Sequence, residues 1–153
     1  MRSKIFYAIT LLVALFLATP VRAANPDHVK QLLTTGECYR CDLAGADLQH
    51  THLIGADLRE ANLAGANLTG ANLEGADLRR ANLRQVNLTQ AFFTNADLAG
   101  SQLVSANLTQ AIAYHANTKG AILGDLILVN AQLEGSGIST GVGSDEWDET
   151  MPD

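Results

Sequence analysis

The chain has 153 residues, of which 47% are apolar and only 5% aromatic, and its formal net charge is −6. That length fits one domain. The acidic balance disfavours nucleic acid or an anionic membrane surface as partner and leaves basic proteins open.

Residues 1–23 read as a secretory signal peptide. Arg2 and Lys4 precede the apolar run from Ile5 to Ala18, and Val21-Arg22-Ala23 fits the small-x-small cleavage rule. The run is too short to span a bilayer comfortably; an uncleaved membrane anchor is the alternative. Cleavage after Ala23 removes three cations and no acid, so the charge moves from −6 to about −9. Stable membrane insertion is not expected afterwards.

Residues 24–37 read as a helical cap. In NPDHVKQLLTTGE, Asn25 suits the N-cap, Pro26 the first helical position and Asp27 the positive end of the helix dipole. Val29, Leu32 and Leu33 fall on one face, and Gly36 ends the helix. That face is expected to cover the end of whatever follows.

Residues 38–140 carry a period of five. In ADLREANLAGANLTGANLEGADLRR, Leu58, Leu63, Leu68, Leu73 and Leu78 recur with Ala two places earlier and Asp or Asn one place earlier. A helix would leave successive leucines about 140° apart. A strand would put them on alternate faces. All leucines point inward only if the chain turns once per repeat. Four such corners close a square coil of about twenty residues, and coils stack at roughly 4.8 Å. Glycine two places after the leucine, as at Gly65, Gly70 and Gly75, tolerates the backbone angles a corner needs.

This pattern resembles the pentapeptide-repeat family, whose motif is A(D/N)LXX. The register holds from Cys41 to Gly135 and continues weakly to Thr140, with Phe93 replacing the central leucine once and Ala113 and Thr118 as degenerate centres. The resemblance implies an all-β fold, a right-handed quadrilateral β-helix with a short N-terminal capping helix.

Cys38 and Cys41 occupy inward positions at the start of the repeats. A structural disulfide is the leading reading in an oxidising compartment. Buried thiols packing as small apolar side chains, and redox or metal chemistry, are the alternatives. The four histidines lack zinc-ligand spacing, and no metal or cofactor is expected. The resemblance extends to lumenal cyanobacterial members with a helix followed by C-x-x-C-D-L, which favours a capping role and adds the thylakoid lumen to the periplasm as a destination.

Outward residues twenty apart should stack in columns. Asp57, Asp77 and Asp97 form one, and Arg59, Arg79 and Lys119 its neighbour, interrupted by Ala99, so mutual salt bridges are expected. Arg79, Arg80 and Arg84 form a candidate anion or partner stripe. Asn67-Leu68-Thr69, Asn87-Leu88-Thr89 and Asn107-Leu108-Thr109 match a glycosylation sequon, but glycans cannot stack at coil spacing. Ladders of Asn and Thr bonding along the rod are expected instead. Phe92 and Ile112 replace Asn or Asp at outward positions one coil apart, and Ile54 and Tyr114 project from the same face. Together they are the candidate protein-contact site.

Residues 141–153 read as an acidic, flexible tail. Trp147, the only tryptophan, sits among Asp145, Glu146, Asp148 and Glu149. It is expected either to lie in a disordered tail, to cover the last coil, or to anchor a partner-binding motif.

No catalytic constellation is present, and a filled coil has no interior cavity for a substrate. The expectation is a non-enzymatic exported rod that binds or scaffolds an unknown protein, as a monomer or weak dimer. The alternative comes from the resemblance: some pentapeptide-repeat proteins mimic duplex DNA and inhibit a topoisomerase such as gyrase. This chain shares the acidic rod but carries an export signal, is short and lacks an obvious C-terminal dimer helix.

Overall fold

A computed structural model describes residues 23–138; residues 1–22 and 139–153 lie outside the described residues. The signal-peptide reading and the acidic tail with Trp147 therefore fall outside it.

Helix α1 spans Pro26–Thr35. Asn25 Oδ1 accepts the Asp27 N–H at 2.9 Å and Pro26 opens the helix. Gly36 closes it in the left-handed region at φ 73°, its N–H donating to Leu32 O. The face that meets the first coil centres on Leu32, which is buried, with Val29 partly buried beside it. His28, one turn before Leu32, accepts the Asp42 N–H on Nδ1 at 2.9 Å. Asn25 N–H donates to Asp42 O. Leu33 was expected on this face but is 51% exposed. It stands about 100° around the helix from Leu32, on the side away from His28.

From Glu37 onward the chain winds in a four-sided coil. Parallel bridges pair each outward residue with the one twenty places later: Asp57 with Asp77, Asn62 with Asn82, Asn67 with Asn87, Asn72 with Phe92. Each repeat supplies three rungs to its neighbours, as in Leu43 N–H to Asn62 O, Gly45 N–H to Ala64 O and Asn62 N–H to Cys41 O. A fourth bond closes the corner, Ala46 N–H to Leu43 O at 3.0 Å. The backbone donors of an isolated five-residue turn would be orphaned. Stacking satisfies them, and this is why the fold needs several repeats.

Every fifth residue from Arg40 to Gly135 has positive φ. The corners therefore do not need glycine: Arg40, His50, Glu60, Arg80, Gln85 and Gln90 hold the same left-handed angle. Each such residue costs about 1–2 kcal/mol relative to a relaxed backbone. The rungs on either side hold it there.

The core is a continuous column of leucines with small residues between them. Leu43 through Leu108 at the central positions, and Ala46 through Ala116 at most small positions, are buried. Each buried leucine contributes roughly 1.5–3 kcal/mol. Phe93 and Ala113, neighbours in one inward column, are both buried. The small residue one coil on leaves the volume that the large one takes.

Candidate functional site

The outward Asp or Asn before each leucine has a structural duty. Its Oδ1 accepts the N–H of the residue two places on, inside the turn: Asp57 from Arg59, Asn67 from Thr69, Asn72 from Glu74, Asn87 from Thr89. That N–H has no partner in the backbone ladder. Some of these residues also bond between coils, Asn62 to Asp42, Asn82 to Asn62 and Asn117 to Asp97.

The Asn–Thr columns behave differently from the expectation. Thr69, Thr89 and Thr109 donate their hydroxyls to the Asn of their own repeat, at 2.7, 2.6 and 2.7 Å. Each of those Asn oxygens already accepts the threonine N–H, so its lone pairs are filled within the turn. The inter-coil ladder lies instead in the Asp42, Asn62, Asn82 column.

On the charged face, Arg59 forks onto Asp57 and leans toward Asp77 at 3.7 Å. Arg79 repeats this with Asp77 and Asp97. The hydrogen bond from its own arginine holds the carboxyl of Asp57, and likewise that of Asp77, below the ordinary value. Arg40 and Arg59 both lie over the ring of Tyr39, at 4.8 and 5.3 Å. Of the three arginines in the predicted stripe, Arg79 is consumed by its pairs. Arg80 is 77% exposed, with Glu60 3.9 Å away, and Arg84 is exposed. Ala99 and Gly100 interrupt the column and leave a shallow recess of about 500 Å³ beside Arg79 and Arg80.

The apolar face is assembled only in part. Phe92 pairs directly with Ile112, and Phe92 is 46% exposed while Ile112 is half-buried. Tyr114, half-buried, stands two residues beyond Ile112 and donates its hydroxyl to Gln132 Oε1. A groove of about 530 Å³ runs beside Phe92, lined by amide side chains including Gln90, Gln110 and Gln132. Gln90 and Gln110 bond to each other at 3.0 Å. Ile54 is exposed, but its column reaches Tyr114 only through Glu74 and Thr94, so it does not join the cluster.

The sequence reading missed Ile122 and Ile127, both exposed, together with Val129. Ile122 and Ile127 fill the same pre-leucine position as Phe92 and Ile112, so the same signal marks them. All four of these replacements fall in the second half of the rod.

At the other end, Cys38 and Cys41 are buried and joined to each other, their Cα atoms 5.2 Å apart. Among the described residues no three His, Cys, Asp or Glu side chains are grouped as a metal site. No helix among them is long and apolar enough to cross a membrane.

A family model described as pentapeptide repeats matches the chain in eight copies, over residues 41–80 and 76–112. Among solved structures, a pentapeptide repeat protein from the cyanobacterium Nostoc PCC 7120 is 38% identical, over 65% of this chain and 75% of that one, with a TM-score of 0.30. One from the cyanobacterium Cyanothece 51142 is 29% identical over 71% and 91%, with a TM-score of 0.44. One from the Arabidopsis thaliana thylakoid lumen is 32% identical over 66% and 64%, with a TM-score of 0.33. No curated protein matches.

Proposed function

This chain belongs to the pentapeptide-repeat family, and from that premise we propose that it is a non-enzymatic, exported rod that binds a protein partner through its apolar face. In this reading the coil is a right-handed quadrilateral β-helix. Helix α1 caps its first coil, the Cys38–Cys41 disulfide forms after export, and the rod works in a periplasm or thylakoid lumen.

One observation carries the binding reading. Phe92 and Ile112 stand where Asn or Asp would bond the turn, and neither has an oxygen to do so. The chain gives up a structural hydrogen bond twice in one column and exposes apolar surface in exchange. Exposed aromatic side chains contribute strongly to protein contacts. The amides of Gln90, Gln110 and Gln132 rim the cluster without charge. The occupant that fits is a neutral, aliphatic or aromatic segment of another protein.

A photo-crosslinking residue at position 92, introduced in the source cell, tests this. A discrete adduct from position 92, absent from the same residue at position 62, supports the reading. No adduct from 92 or from 112 overturns it.

The topoisomerase reading finds little support on the charged face, because Arg59 and Arg79 neutralise the Asp57, Asp77 and Asp97 column that a DNA mimic would present. Inhibition of gyrase supercoiling by micromolar protein would restore it.

A further inference from the structure

The charge pattern on the outside of the rod breaks at one level. At one left-handed corner Arg40, Glu60 and Arg80 stack and alternate in sign over three coils. Glu60 Oε2 is 2.7 Å from Arg40 Nε, and its Oε1 is 3.9 Å from Arg80 Nη1. One carboxylate thus serves an arginine on either side of it. The next member of this column is Gly100, and Ala99 stands beside it in the column of Arg59 and Arg79. Neither has a side chain that reaches Arg80's charged end. The recess beside Arg79 and Arg80 opens at this level.

Cations border the gap on both sides. The stem of Arg80 lies against it, since a Cβ added to Gly100 would stand 3.5 Å from Arg80 Cγ. Lys119 is exposed one coil further on, and its carbonyl accepts the Gly100 N–H at 3.0 Å. Among the described residues Lys119 makes no ion pair, and Arg80 makes only the long contact with Glu60. Asp97, the carboxylate of the intervening coil, is committed elsewhere. Its Oδ1 accepts the Ala99 N–H at 3.0 Å and the Asn117 amide at 2.9 Å, and its Oδ2 is 3.7 Å from Arg79 Nε. Arg80 and Lys119, two coils or roughly 10 Å apart, are left with an empty level between them.

We propose that this recess docks an acidic segment of another protein, with a Glu or Asp carboxylate of the partner seated over Gly100 between Arg80 and Lys119. A carboxylate is the occupant because Glu60 already fills the equivalent level between Arg40 and Arg80. The guanidinium of Arg80 can hold it through two parallel hydrogen bonds. The site is not the arginine stripe expected from the sequence: Asp77 holds Arg79, Arg84 stands around the corner, and Lys119 takes their place. The chain's overall charge of −6 does not attract an acidic partner from a distance, so the contact rests on these local cations. It lies on another face from Phe92 and does not depend on the reading above.

Two measurements on the purified full chain test this. The first supplies the carboxylate within the chain. Gly100→Glu and Gly100→Gln carry the same left-handed corner, and the space at Gly100 accepts a Cβ. The Glu variant is expected to melt higher than the Gln variant in low salt, and the difference should vanish in molar salt. Equal melting of the two in low salt overturns the proposal. The second supplies the carboxylate from outside, as a capped hexaglutamate peptide followed by amide NMR shifts in low salt. Saturable shifts centred on Ala99, Gly100 and Lys119, several-fold weaker in binding for Arg80→Gln and abolished by Gly100→Glu, support it. Absence of saturable shifts, or shifts of equal size around Arg84 and Lys30, overturns it. Inorganic phosphate that binds there as tightly as the peptide also overturns it, in favour of a phosphate site.

Discussion

The imidazole of His50 lies across Gly70, so that a Cβ added to Gly70 would stand 2.5 Å from Nδ1 and 2.8 Å from Cε1. His115 stands in the same way against Gly135. Both histidines occupy left-handed corners, one coil before the glycine they cover. Gly75 shares the backbone angle of Gly70, φ 63° against 64°, yet a Cβ there meets nothing within 4 Å. The pair separates backbone strain from steric conflict. Gly75→Ala is expected to cost about 1 kcal/mol through the left-handed backbone alone. Gly70→Ala is expected to cost about 1–3 kcal/mol more through overpacking. His50→Ala combined with Gly70→Ala should return to the Gly75→Ala level. Urea midpoints of the three variants check this; equal midpoints for the two glycine variants would mean the ring swings aside freely.

Phe93 and Ala113 make a second coupled pair. Ala113→Leu alone should overfill the column and cost about 1–3 kcal/mol. Phe93→Leu alone should leave a cavity costing about 1 kcal/mol or more. The double variant restores the leucine pattern of the other columns and should be more stable than the sum of the single changes predicts. A double-mutant cycle on thermal unfolding measures the coupling, and strict additivity would show that the two side chains do not share volume.

Much of this was legible because a period of five admits so few chain paths. The inward leucines, the twenty-residue stacking and the Asp–Arg columns all follow from it, and the bridges and ion pairs place them accordingly. What escaped depends on local geometry that a repeat motif does not encode. The direction of the Asn–Thr bonds is decided by which lone pairs the turn already occupies. Leu33 is exposed because α1 meets the coil along the His28–Leu32 side, and a helical pattern cannot say where within an apolar arc the contact is centred. The corner angle is imposed by closure of the coil, so Arg80 and Gln90 adopt it as readily as Gly70. Ile122 and Ile127 were overlooked although they obey the rule that singled out Phe92.

The arginine ladder predicts an acid dependence. Asp57 and Asp77 titrate below the ordinary 3.8 because Arg59 and Arg79 hydrogen-bond their ionised forms. A depressed folded value means the stabilisation is present above about pH 3.8 and is lost as pH falls through the folded value. Since both arginines are nearly half exposed, solvent screens each pair and its contribution should be small. The Arg59→Gln, Arg79→Gln variant should therefore be slightly less stable at pH 7, and the gap should close as acid protonates Asp57 and Asp77 in both folded proteins. A gap that persists in acid would assign the effect to the packing of the arginine stems instead.

Ser101 is the one buried side-chain oxygen without a partner among the described residues. It occupies a position that is Ala in most repeats. At comparable positions Thr51 and Ser136 donate their hydroxyls to the carbonyl three residues back, both at 2.6 Å. Ser101→Ala removes an unsatisfied polar atom without opening a cavity larger than the hydroxyl. It should stabilise the rod by about 1 kcal/mol, whereas Thr51→Val should destabilise it by a similar amount. Destabilisation by Ser101→Ala would mean that the hydroxyl is satisfied in solution.

Phe92→Asn tests function and stability at once. In the same column Asn72 accepts the Glu74 N–H at 3.0 Å. Asn at 92 can take the Thr94 N–H in the same way, and the exposed ring is removed. The added bond should contribute about 0.5–1.5 kcal/mol, against a small loss of contact between Phe92 and its column neighbour Ile112. The variant is therefore expected to be at least as stable as the parent while losing the partner adduct at position 112. A purely structural role for Phe92 requires the opposite ordering, a less stable rod with its adduct intact. Should stability and adduct fall together, Phe92 would be a packing residue and the contact surface would have to be sought around Ile122 and Ile127.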